Sequence, residues 1–392
     1  MTTWAAAATS AAALLETQYR EKDVFVGNFW FGGNALQAYL ASCLALNKGD
    51  EGRLLEYAFH SVYEVLSVEP DWWHDDFGWW GNVFCLALKR RKDLGYAASA
   101  NDELFAAILA AAGWCWEQMD DYWRDKPYNT STDNSHASAD ISGGTFNDSP
   151  DSSTYPMSGR NSVTNEGFWL LSLQLAELTG EAKYENRAKA EYSWFVSWLN
   201  RPSTDPGILN DQGLVLERPT GHALIRTWHW SGDQGLFMAA YLQHLNETWP
   251  PPYTDSLAAK MAESVMATMV HGGILRENMS FYKVKVLQQF LADYATGKGI
   301  FMRNLAEVSA TLGPEWTTQH SAPFIGANAA AVWNHRDSDT GQLPFNWNPD
   351  APGGEPHTLS GKPASLCKVI LQASGLDALS AAVICLPDEN IP

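Results

Sequence analysis

Apolar residues recur every three to four positions along nearly the whole chain, and no stretch alternates convincingly with period two. That spacing lines one face of an α-helix, so the chain must bury its apolar surface by packing helix on helix, and the expected class is all-α. Start and stop signals place twelve helices. They fall near Trp4–Tyr19, Phe29–Leu46, Arg53–Leu66, Asp76–Arg90, Asn101–Tyr122 and Val163–Thr179, then Ala182–Leu199, Gln234–Leu245, Tyr253–Met269, Leu287–Leu312, Ala322–Asn334 and Pro363–Ile384. Twelve helices in sequential pairs imply six hairpins closing into an (α/α)6 barrel, expected as a single catalytic domain over residues 1–392. An open solenoid is the alternative, and the fixed-period repeat that would favour it is absent.

The chemistry concentrates in Asp71 to Trp80, where Asp75 and Asp76 stand between two pairs of tryptophans. Glycoside cleavage with retention uses two carboxyl groups about 5 to 5.5 Å apart, and neighbouring residues, with Cα atoms about 3.8 Å apart, can reach that separation. Side chains in mid-helix diverge by about 100° per residue, so both acids address one substrate only at a helix start or in a distorted turn. Pro70 and the downstream apolar run put such a start here. Two acids this close do not ionise independently; the first carboxylate raises the pKa of the second. Trp72, Trp73, Trp79 and Trp80 offer flat faces for sugar rings. Taken alone, the pair suits an acidic helix start followed by core aromatics slightly better than it suits catalysis.

Charge narrows the partner. With 45 acidic against 26 basic residues the net charge is -19, which repels nucleic acid and anionic membrane surfaces and leaves a neutral or cationic partner. No run of 18 unbroken apolar residues suggests a membrane span. Five cysteines without a C-x-x-C pair read as buried small hydrophobes, one of them unpaired within the chain. The Ala-rich Met1 to Leu15 lacks the form of a secretory leader and reads as the first helix. The expected location is therefore extracellular or wall-associated if a leader has been removed, and intracellular otherwise.

Several segments exclude other chemistries. Gly297-Lys298-Gly299 lacks the earlier glycine and following hydroxyl of a phosphate loop. No H-E-x-x-H or G-x-S-x-G occurs, so zinc-hydrolase and serine-esterase readings lack support. The acidic residues between Pro127 and Arg160 lack EF-hand spacing, and neither metal nor cofactor is expected. That stretch is the longest without helical pattern, and loops of such length either line functional sites or are disordered surface excursions. His74 and His229, beside tryptophans, read as hydrogen-bonding residues at a rim.

In this order the motifs resemble those of glycoside hydrolase family 76, the endo-α-1,6-mannanases and related fungal cell-wall proteins. The central match is aromatic-x-Asp-Asp-x-x-Trp-Trp over Trp73 to Trp80. Gly143-Gly144 before an aromatic, Thr164-Asn165 opening a helix, Leu178-Thr-Gly180, Asp233-Gln-Gly235, Lys298 to Leu305 and Gln372 to Leu379 support it. The resemblance implies Asp75 as nucleophile, Asp76 as general acid/base and retention of configuration within an (α/α)6 barrel. It also implies substrate contacts from Trp73, Trp79, Trp80, Asn165, Asp233, Gln234 and Arg303, expected to gather near the acidic pair, and mannan or mannooligosaccharide as partner of a monomer. The polar loop Thr227 to Gly235 is longer than the family's, and Glu217 is the nearest candidate for an acidic residue expected near Gly213. Transglycosylation, glycan binding without turnover, and intracellular acid/base chemistry on a non-sugar metabolite are the alternatives.

Overall fold

Helix periodicity in the sequence becomes helix packing in the structure, a computed structural model that describes residues 2–22, 29–48, 53–68, 73–96, 102–123, 143–147, 160–199, 212–217, 229–244, 256–277, 294–349, 364–387 and 391–392. Among the described residues twelve long helices follow one another. They are α1 (Trp4–Lys22), α2 (Phe29–Ala45), α3 (Arg53–Ser67), α4 (His74–Lys89), α5 (Asp102–Asp120), α6 (Ser162–Thr179), α7 (Ala182–Leu199), α8 (Ser231–His244), α9 (Ser256–Thr268), α10 (Gly297–Leu312), α11 (Ala322–Asn334) and α12 (Ala364–Cys385). Each overlaps an expected helix. The early part of the expected Leu287–Leu312 helix lies outside the described residues, and α10 begins only at Gly297. A two-stranded hairpin, β1 (Val270–His271) and β2 (Ile274–Leu275), turns on Gly272-Gly273. A single π-helical turn, Thr317–Ser321, leads into α11.

The chain groups into two compact units. One comprises residues 1–54, 92–96 and 230–392, the other 55–91 and 97–229. In the first unit α12 packs against α1, α2, α10 and α11, while α10 lies along α8. Being surrounded explains why α12 is apolar on all sides. Cys367–Cys385, with mean hydropathy 1.4, is long and apolar enough to cross a bilayer, yet 78% of it is buried inside the protein. An Ala/Ser/Gly-interrupted run of this kind is invisible to a search for unbroken apolar residues. Close approach of α10 to α12 requires Gly299, whose Cβ would stand 2.5 Å from Ser374 Cα. The glycine–lysine–glycine run is thus a packing device: Lys298 is buried, donates to the Phe345 carbonyl at 2.6 Å and lies over the Phe345 and Trp347 rings.

In the second unit α4 packs against α5 and α6, and α6 against α7. Asn82 of α4 ties that helix to α6. Its Nδ2 donates to the carbonyls of Gly78 and Gly167 at 2.8 and 3.0 Å, and its Oδ1 accepts from Gln174 at 2.9 Å. All five cysteines are free. Burial raises the Cys85 and Cys115 thiols, consistent with packing rather than reactive roles.

Candidate active site

Trp73 enters α4 with extended backbone (φ -58°, ψ 131°) and makes no side-chain capping bond. The helix begins at His74, so Asp75 and Asp76 both fall in its first turn. This start lies two residues earlier than the sequence expectation, and the cause is tertiary. A helix's first N–H groups have no partner within the helix, and here the His74 N–H is taken by the Asn147 carbonyl at 3.0 Å. The Asp76 N–H donates to the Trp73 carbonyl at 3.2 Å. Asp75 is half-buried and Asp76 buried. The positive end of the helix dipole favours a negative charge at this position.

His74 is not at a rim: it is 1% exposed. Its Nδ1 lies 2.5 Å from the Phe146 carbonyl and its ring stacks on Tyr122 with centroids 3.6 Å apart. The segment supplying those carbonyls, Gly143–Asn147, is a described part of the long polar stretch between Pro127 and Arg160, and it is a buried strut. Gly143 and Gly144 adopt φ of 95° and 90°, with the Trp123 and Trp194 rings filling the space a Cβ would need. Arg160 donates to the Gly143 carbonyl at 2.6 Å. The Trp123 ring is in turn covered by the Arg187 guanidinium, 4.2 Å away, which pairs with Asp120 at 2.6 Å. Nearby in α7, burial holds the Glu191 carboxyl well above the usual carboxylate range, against the opposing pull of Arg187.

Asn165, expected to contact substrate, instead holds this strut. It is fully buried; Oδ1 accepts from the Thr145 N–H at 2.7 Å, and Nδ2 donates to the Thr145 and Asn161 carbonyls at 3.0 and 2.7 Å. The same end of α6 anchors residues 212–217. The Ser162 N–H and hydroxyl donate to the carbonyls of Glu217 and Leu216 at 2.8 and 2.5 Å, and Asn161 Nδ2 reaches Glu217 Oε1 at 3.4 Å. Glu217 is buried there.

Of the tryptophans expected to stack sugars, Trp73 is half-buried and keeps an accessible part. Trp79 and Trp80 have 4% and 0% exposure, their rings packed on protein, Trp80 against Phe84 at 5.5 Å. Asp233, Gln234 and Arg303 belong to the first unit, whereas the acidic pair, the three tryptophans and Asn165 belong to the second. Asp233 and Gln234 are fully buried in the first turn of α8, where Gln234 Nε2 donates to the Trp230 carbonyl at 3.1 Å. Glu277 accepts from the Ser231 N–H at that helix's start. Arg303 of α10 pairs with buried Asp377 at 3.1 Å and donates to Asn34 Oδ1 at 3.1 Å. Asn165, Gln234 and Arg303 are therefore engaged in building the scaffold. Gln234 is held locally by Trp230 four residues before it, whereas the partners of Arg303 and the Thr145 partner of Asn165 lie farther off in the chain.

An all-α chain of helical hairpins with two adjacent carboxylates in a helix's first turn has the elements of a carbohydrate-cleaving enzyme. The sequence profile of Glycosyl hydrolase family 76 matches residues 111–379, more than half of the chain, beginning C-terminal to the acidic pair. The chain belongs to that family. Solved structures extend the likeness in fold over nearly all of it. An inactive variant of the α-1,6-mannanase GH76A of Salegentibacter sp., in complex with α-1,6-mannotetrose, superposes with a TM-score of 0.69 at 19% identity, covering 97% of this chain and 99% of that one. Dfg5 from Chaetomium thermophilum in complex with glucosamine gives 0.64 at 16% identity, with 97% and 90% covered. A family 76 mannosidase of Bacteroides thetaiotaomicron gives 0.60 at 14% identity, with 98% and 99% covered. The fold is accordingly the (α/α)6 barrel. Among curated proteins none matches the sequence.

Proposed function

We propose that the protein is a retaining, endo-acting glycoside hydrolase that cleaves α-1,6-linked mannan. The observation that carries this reading is the consecutive pair Asp75–Asp76 in the first turn of α4. In the inactive Salegentibacter variant, two consecutive aspartates are replaced by alanine, and Asp75–Asp76 is the corresponding kind of pair in this chain. Asp75, as the carboxylate, attacks the anomeric carbon while Asp76 protonates the departing glycosidic oxygen. Asp76 then takes a proton from water, which attacks the glycosyl-enzyme and releases a sugar of unchanged configuration. Negative charge on the nucleophile is favoured at the helix start, and the accessible part of Trp73 offers a face to the sugar. Incubation with linear α-1,6-mannan, following product size and anomeric configuration, tests the reading.

A second reading is transfer to another sugar hydroxyl in place of water. Dfg5 in complex with glucosamine superposes with the same TM-score, 0.64, as one of the mannanase structures, which makes an amino-sugar hydroxyl the acceptor to test. Products longer than the starting oligosaccharide on adding acceptor would establish it.

A further inference from the structure

The start of α4 is set by a remote segment. A local cap is the usual device: a Ser, Thr, Asp or Asn side chain accepting from the second or third amide of the helix. Trp73 cannot do this and makes no such bond. Three contacts to His74 take its place. Its N–H donates to the Asn147 carbonyl at 3.0 Å, its ring nitrogen Nδ1 meets the Phe146 carbonyl at 2.5 Å, and its ring stacks on Tyr122 at an interplanar angle of 27°. A carbonyl only accepts, so Nδ1 carries the proton. The two carbonyls lie on a strut pinned in turn by Asn165 at Thr145, by Arg160 at Gly143, and by the Tyr122 carbonyl, which accepts from the Phe146 N–H at 3.3 Å.

We propose that His74, held through the Gly143–Asn147 strut by Asn165, is a positioning residue that sets the rotation of the first turn of α4 and so the directions of Asp75 and Asp76; the proposal rests on the reading of that pair as the reacting carboxylates. Consecutive helical side chains point about 100° apart, so the two acids flank one glycosidic bond only over a narrow range of rotation, and turning the helix to improve one worsens the other. Misplacement by about 1 Å is enough to cost about a hundredfold in rate. His74 immediately precedes the acidic pair while being tied to Tyr122 just beyond α5, to the strut and, through it, to α6, which is where such a rotation would be resisted.

The test uses three variants of the full chain, with hydrogen–deuterium exchange of residues 73–80 measured alongside kcat and KM on α-1,6-mannooligosaccharides. His74→Phe keeps the ring stack and removes the Nδ1 donor. His74→Asn keeps a donor near the Nδ1 position and removes the ring. Asn165→Asp keeps the acceptor for Thr145 and removes the donor. Losing one such buried hydrogen bond should speed exchange at 73–80 by about tenfold in His74→Phe and Asn165→Asp. In His74→Phe, kcat should fall about a hundredfold while KM stays within about threefold. His74→Asn should recover at least about tenfold of that loss in kcat. Wild-type exchange at 73–80 in His74→Phe overturns the proposal whatever the activity. If His74→Phe does not fold, wild-type exchange at 73–80 in Asn165→Asp overturns it in the same way. Absence of mannan cleavage by the wild type would instead remove the functional reading, and the exchange arm would still decide whether His74 sets this helix start.

Discussion

Asn165 grips Thr145 by both sides of its peptide unit, accepting from the N–H at 2.7 Å and donating to the carbonyl at 3.0 Å, with both residues fully buried. A side-chain amide is the right group for this because it has an acceptor and a donor about as far apart as those of a backbone strand neighbour. Asn165→Ala would leave two Thr145 groups buried without partners, each worth about 1–3 kcal/mol. The expected outcome is a loss of about 3 kcal/mol or more in urea denaturation followed by tryptophan fluorescence. A wild-type midpoint would show that Asn165 does not hold the strut and would reopen its reading as a substrate contact.

Arg303 and Asp377 form a buried pair whose balance is delicate. Burial pushes the Asp377 carboxyl up to about 7, against the pull of the Arg303 guanidinium. Arg303→Met removes that pull, so the folded-state value rises further above the unfolded one near 3.9. The unfolded chain then sheds the Asp377 proton first as pH rises, and stability falls with pH across that window. The variant should lose about 3–5 kcal/mol, with a larger loss at about pH 8 than at about pH 5. An equal, small loss at both would show that the pair is not closed in solution.

His244 carries the opposite sign. Burial lowers its pKa to about 4, below the unfolded value of about 6.5. Between these values the unfolded chain binds more protons, so this contribution is complete above about pH 6.5 and is lost as pH falls toward 4. His244→Gln should flatten the dependence of the denaturation midpoint on pH in that window. An unchanged slope would assign the acid sensitivity to other groups.

The twelve helices were legible because each carries its own periodicity and its own punctuation, such as Gly180, which ends α6. The acidic pair was legible for the same reason: adjacency and flanking tryptophans are local facts. The role of Asn165 was not, since the residue reads as part of a helix start while its partner Thr145 lies 20 positions away in a segment of turn-like composition. Arg303 shows the same limit more strongly, with partners 74 and 269 positions away. Trp80 was expected to face sugar because Trp does so in carbohydrate enzymes, but burial is decided by α5 and α6, which pack on α4. The exact start of α4 depends on the carbonyl of Asn147, a tertiary partner that no capping rule can supply.

Replacing each acid by its amide should separate the two chemical roles. Asp75→Asn and Asp76→Asn each preserve shape, and each is expected to reduce mannan turnover by at least about a thousandfold, combining lost nucleophilic or acid/base help with lost electrostatics. With an activated leaving group, Asp76→Asn should still form the intermediate and show a burst, and external azide should speed its release. Asp75→Asn should show neither. Burst and azide rescue in Asp75→Asn alone would exchange the two roles.

The most direct test of the account is the first product of wild-type cleavage of linear α-1,6-mannan, read by time-resolved proton NMR of the new reducing-end anomeric signal before mutarotation. Cleavage through Asp75 and Asp76 with retention predicts that the α-anomer appears first, on internal fragments of mixed length. A β-anomer appearing first, or intact polymer after prolonged incubation, would contradict it.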